Sequence, residues 1–112
     1  DLSELKRMGN GDPEFLKEMI DLFLKTSAAS MQSIDENLNS KNYDAIAELA
    51  HKLASPVKYM NVTGVYNTIK ELELLAKKGK ESTILEEKTA QLHIEIEALN
   101  KELETLLDEK FE

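Results

Sequence analysis

Few residues in this chain can do covalent chemistry. It has 2 histidines and no cysteine, so thiol nucleophiles, disulfides and zinc–thiolate sites are excluded. It has no glycine-rich phosphate loop, nucleophile elbow or kinase motif. The 22 acidic residues fall mostly on the polar faces of expected helices, where they read as solvating charge. That leaves His51 and His93. His93 stands beside Leu92 and Ile96 in an apolar seam and reads as a surface or boundary histidine. His51 sits differently. Each residue of an α-helix turns it by about 100°. With Ile46 at zero, Ala50, Leu53 and Val57 fall within about 40°, while His51 falls about 140° away with Asp44, Ser55 and Lys58 around it. The imidazole should therefore face solvent, flanked by the small Ala47 and Ala54. A neutral imidazole with low walls is a nucleophile that another macromolecule can reach. Periodicity alone still favours an ordinary surface histidine.

A metal reading of the same residue is weak. Glu48-x-x-His51 has the spacing of ferritin-like di-metal helices, but such sites need a second motif of that kind and two more inward carboxylates. His93 has Ala90 three residues before it, so the second motif is missing. His51 also points away from the expected core.

The elements that must position His51 can be read from periodicity and caps. Leu2 to Met8 is a short helical lead-in, ended by a Gly9-Asn10-Gly11 turn. Asp12 caps the first long helix and Pro13 suits its first position. Phe15, Leu16, Met19, Ile20, Phe23, Met31, Ile34 and Leu38 follow at three- and four-residue spacing, and the helix ends near Asn39-Ser40. Asn42 caps the next helix, whose apolar stripe is Tyr43, Ile46, Leu49, Ala50, Leu53, Val57 and Met60. Asn61 is a left-handed stop. Pro56 removes one backbone bond, to the Lys52 carbonyl, and either bends this helix or ends it early. A third helix runs from about residue 63 to 78, with Val65, Ile69, Leu72 and Leu75-Ala76 on its apolar side, and Gly79 ends it. Thr83 with Glu86 makes a capping box for the last helix. Leu85, Leu92, Ile96, Leu99, Leu103 and Leu106 form a near-heptad seam toward Phe111. Beside three other amphipathic helices, that seam reads as a bundle face rather than a coiled coil. Short connections between long helices favour antiparallel neighbours. The expected fold is therefore all-α, an up-down-up-down four-helix bundle with a short N-terminal lead-in helix.

Composition narrows the partners. The chain has 112 residues, 41% hydrophobic and 32% charged, which is one globular domain with one core. A net charge of −8 makes nucleic acid and anionic membrane poor partners and leaves protein partners open. No apolar run approaches the roughly 18 residues of a membrane span. The chain begins at Asp1 without an initiator Met, as expected of a single domain, 1–112, cut from a longer protein.

The local sequence then supplies a resemblance. Ala50-His51-Lys52-Leu53-Ala54-Ser55-Pro56 resembles the Ala-His-x-Leu-Lys-Gly-Ser pattern of histidine-containing phosphotransfer (HPt) domains. Leu72-Glu73 resembles that family's Leu-Glu on the following helix, and Asp12-Pro13-Glu14-Phe15-Leu16 with Phe23 resembles its first-helix signature. Asn42-Tyr43 and Leu49-Ala50-His51 sit at familiar offsets. The resemblance spans about residues 2 to 78; the last helix matches in length and amphipathicity alone.

The resemblance implies a phosphorelay carrier. His51 accepts a phosphoryl group from a receiver-domain aspartate and passes it to another receiver, with no ATP-dependent kinase activity in this chain. The receiver brings Mg²⁺ and its own lysine, and this chain binds no cofactor. The partners are response-regulator receiver domains, the expected setting is the cytoplasm, free or as a domain of a hybrid sensor kinase, and a monomer is favoured. The docking surface should surround His51, with Ala47, Ala54, Tyr59 and the first long helix near Phe23 and Ser27 as candidates. The departures fall at the site. Ala54 stands where the family has Lys, Ser55 where it has Gly, and Pro56 where it has a small polar residue. Lys58, two turns along the face of His51, is the expected substitute cation, with Ser55 and Lys52 in support. Lys77, on the next helix, is expected to be distant. The alternative is an inert helical interaction module, an HPt-like fold that transfers nothing.

Overall fold

The computed structural model describes residues 2–79 and 82–111; the side chains of residues 4, 8–10, 110 and 111 are not among those described. The described residues form five helices, α1 (Ser3–Gly11), α2 (Pro13–Asn39), α3 (Tyr43–Tyr59), α4 (Thr63–Lys77) and α5 (Ser82–Phe111), with no strand among them. The fold is all-helical, as the periodicity predicts.

Caps and left-handed residues set the boundaries. The Asp12 carboxylate accepts from the Phe15 backbone N–H at 3.1 Å, with Pro13 at the first helical position. Asn42 accepts from Ala45 N–H at 3.3 Å. Both satisfy a donor that the first helical turn leaves open. Lys41, Asn61 and Gly79 turn the chain after α2, α3 and α4 with φ of 60°, 61° and 63°. Asn61 and Gly79 are the expected stops. Lys41 is a residue that propensity does not mark for that conformation.

Two boundaries differ from expectation, and one left open is decided. Gly9-Asn10-Gly11 does not form a turn; α1 continues to Gly11, and Asp12 alone separates it from α2. Burial of Leu2 and Leu5 holds α1 in the core, and such packing outweighs the glycine penalty of about 1 kcal/mol. Helix α5 begins at Ser82, so Thr83 lies inside it rather than at its cap. Pro56 does not end α3, which runs through it to Tyr59.

The core is one cluster. Leu16, Ile20, Phe23, Met31 and Ile34 of α2 meet Ile46, Ala50, Leu53 and Val57 of α3; Val65, Ile69, Leu72 and Ala76 of α4; and the whole Leu85–Leu106 seam of α5. Each large side chain buried contributes about 1.5–3 kcal/mol. Phe15, assigned to the α2 stripe, is instead 46% exposed, because it sits in the first turn, at the helix end. The Phe111 side chain lies outside the described residues. Helix α2 packs on α3, α3 on α4, α4 on α5 and α5 on α2, so the four long helices close a ring, with α1 against α2. The ring buries the inner stripes and leaves the outer ridge of α3 in solvent. Among the described residues, no helix is long and apolar enough to cross a membrane.

Candidate functional site

Ala50 and Leu53 are both buried, and between them they fix the rotation of α3. His51 is therefore carried outward, with 70% of its side chain exposed. The ring does not hang free. Its Nδ1 lies 3.1 Å from Glu73 Oε2 of α4.

Glu73 is the unexpected member. It follows Leu72, which is fully buried, and lies about 100° around α4 from it. That angle sets the side chain at the seam between α3 and α4, where only 3% of it is exposed. A buried carboxylate needs partners for its charge. Lys70 Nζ lies 2.6 Å from Oε1 and Lys77 Nζ 3.0 Å from Oε2. The Lys70 hydrogen bond is the main cause that lowers the Glu73 pKa to about 2; burial works against it and Lys77 adds to it. Glu73 is thus ionised at neutral pH and can only accept hydrogen bonds. The proton between Glu73 and His51 belongs on Nδ1, an assignment that follows from the chemistry of the partner. Nε2 of the neutral ring then keeps its lone pair and faces outward.

His51 opens on a recess of about 360 Å³ between α3 and α4, lined by Asp44, Ala47, Glu48, His51, Glu73 and Lys77. The structure does not bring the other expected site residues into it. Lys58 lies over the Tyr66 ring, 6.0 Å from its centroid, and lines a separate recess with Asn61, Val62, Thr63 and Tyr66. Lys52 is exposed and pairs with Glu48 at 3.7 Å. Ser55 is exposed on the α3 ridge. Lys77, expected to be remote, is in the site.

The docking candidates also separate. Ala47, Ala54, Phe23 and Ser27 are buried, and Tyr59 is 49% exposed. The two alanines lie at intermediate angles on α3 but are covered where it packs into the bundle. An apolar groove of about 420 Å³ runs along the other flank of α3, lined by Met19, Leu22, Phe23, Thr26, Ser30, Lys52, Leu53, Pro56 and Met60. Leu22 is 62% exposed on it.

Reading the acids as solvation misses Glu73. The available signal was a glutamate at the edge of an apolar stripe with lysines three residues before and four after, all on one helix face. His93 is the boundary residue expected. Its Nε2 lies 2.9 and 3.0 Å from the two Asp35 oxygens, and the pair clasps α5 to α2. Among the described residues, no group of three or more His, Asp or Glu is arranged to hold a metal ion.

The Hpt domain family model matches residues 18–108 of the chain. No curated protein and no solved structure matches it.

Proposed function

Since the chain belongs to the Hpt domain family, and with it to His-Asp phosphorelay signalling, we propose that His51 is the phosphoryl-carrying residue. It takes the group from one receiver aspartate and gives it to another. The observation that carries this reading is the hydrogen bond between His51 Nδ1 and buried Glu73, which leaves the nucleophilic Nε2 facing solvent.

In the forward step Nε2 attacks the phosphorus of the receiver's aspartyl phosphate. The Nε2–P bond forms as the O–P bond breaks, and its electron pair leaves with the aspartate carboxylate. The ring acquires positive charge, which ionised Glu73 offsets across the Nδ1–H. Phosphoryl transfer depends mainly on in-line positioning and charge stabilisation; the fixed ring supplies the first, and Mg²⁺ on the receiver belongs to the second. The return step runs the same bonds in reverse onto a second receiver.

The same reading takes the four long helices as an antiparallel up-down-up-down bundle with α1 as its lead-in, supported by the short connections and the closed ring of contacts. It takes the chain as a monomeric, cytoplasmic phosphorelay domain. The partner surface is the exposed α3 ridge with the α2–α3 groove beside it. One observation favours the inert alternative: the family's lysine position is Ala54, and Lys58, one turn further along α3, is held over Tyr66.

Incubation with a phosphorylated receiver decides between them. Acid-labile phosphohistidine should form on the wild-type chain and on His93→Gln, and not on His51→Gln, which should fold normally because its side chain is exposed. Phosphorylation of His51→Gln would refute the assignment, and an unreactive wild-type chain would leave the inert module.

A further inference from the structure

A phosphoryl group on Nε2 adds about two negative charges, and the ground around His51 is poorly prepared for them. Asp44, Glu48 and Glu73 line the recess, and Lys77 is the only cation among its described lining residues. Lys58 is held over Tyr66 in another recess.

We propose that Lys77 is the cation that neutralises the phosphoryl group on His51, and that Glu73 holds it ready beside the ring. This rests on the phosphotransfer reading above and adds a residue to it. Lys77 Nζ and His51 Nδ1 share one oxygen, Glu73 Oε2, at 3.0 and 3.1 Å. Sharing it keeps the ammonium within about 6 Å of the ring, the range over which opposite charges act strongly on each other.

The two lysines are not equivalent. Lys70 is 35% exposed and binds Oε1 alone, at 2.6 Å. Lys77 is 59% exposed on a long flexible stem, so it can swing from Oε2 to the phosphoryl oxygens. When it does, Glu73 keeps Lys70 on Oε1 and the His51 Nδ1–H on Oε2. The buried carboxylate is never left without a partner, and the ring stays oriented. The family's lysine on α3 is thereby replaced from α4. The plain structural alternative is that Lys77 serves only the α4 C-terminus and its i,i+4 pair with Glu73.

Phosphoramidate, a small phosphoryl donor, tests this without a receiver. The full chain, Lys77→Ala, Lys77→Arg, Lys58→Ala and Lys101→Ala are each phosphorylated with it, and phosphohistidine decay is followed by ³¹P NMR. Lys77→Ala should shorten the phosphohistidine lifetime about tenfold, and Lys77→Arg should restore most of it, since either cation meets a phosphoryl oxygen. Lys58→Ala and Lys101→Ala, which remove the same charge elsewhere, should leave it within about twofold. Three results overturn the proposal while leaving His51 as the carrier: a normal lifetime in Lys77→Ala, an equal loss in all three alanine variants, or a loss in Lys58→Ala alone. If the wild-type chain forms no phosphohistidine at His51, the phosphotransfer reading itself falls and this inference with it.

Discussion

Glu73 does two jobs that pull on the same carboxylate. It orients an exposed imidazole and anchors two lysines at the α3–α4 seam. Its pKa is lowered to about 2 from an ordinary 4.5, so the folded state favours its ionised form. The stabilisation from this group is therefore fully present above about pH 4.5 and is lost as pH falls toward 2. Glu73→Gln keeps the shape and removes the charge. It should cost about 1–2 kcal/mol at pH 7, and the gap to wild type should close as pH falls through that window. Urea unfolding of both proteins across the acid range checks it, and a gap independent of pH would mean that the charge contributes nothing. Imidazole ¹⁵N shifts should also show neutral His51 protonated on Nδ1 in wild type. The outward direction of His51 was legible because it depends only on the rotation of one helix whose buried side is unambiguous. Glu73 was not, because its role requires knowing that the α4 edge abuts the α3 edge, and single-helix periodicity carries no such pairing.

Helix α3 shows the same division between what a helix knows and what its neighbours decide. Asn42 caps it and Asn61 stops the chain beyond it, as their side chains and left-handed tolerance dictate. Ala47 and Ala54, at intermediate angles, are covered by the flanking helices, so the face open to a partner is narrower than rotation alone suggests. Lys58 lies on the outward face as calculated, yet Tyr66 of α4 takes it. Rotation along one helix places only that helix's own cations, and the lysines beside Glu73 come from α4. Pro56 sits inside the helix and cannot donate to the Lys52 carbonyl one turn back. Pro56→Ala should restore that bond and raise stability by about 1 kcal/mol, less than the full interior penalty because Pro56 lies in the last turn. Chemical denaturation measures it. A loss of stability would show that Pro56 packing in the α2–α3 groove outweighs the backbone bond.

At the scale of the whole molecule, the ring of helices measures 45 × 20 × 19 Å and presents two different flanks of α3 side by side. The α3–α4 flank is charged and holds His51. The α2–α3 flank is apolar, with Leu22 62% exposed and Met19, Pro56 and Met60 lining the groove below it. Exposed apolar side chains next to a polar reaction centre are where a transient partner gains most of its contact energy. Chemistry and docking should then separate under mutation. Leu22→Glu places a charge on the groove of a chain already at −8. It should change stability by no more than about 0.5 kcal/mol, as expected for an exposed site. Phosphorylation of His51 by phosphoramidate should be unaffected, because that donor needs no protein surface. Transfer from a phosphorylated receiver should fall about tenfold or more, through weaker binding, since an unpaired carboxylate is costly to bury in an apolar interface. Lys101→Glu, in the recess between α1 and α5, makes a larger change in net charge on a remote surface and is the control. Equal losses in both variants would assign the effect to overall charge repulsion. A Leu22→Glu chain that still accepts from the receiver at the wild-type rate would show that the partner approaches from the α4 side instead, over Glu73 and Lys77.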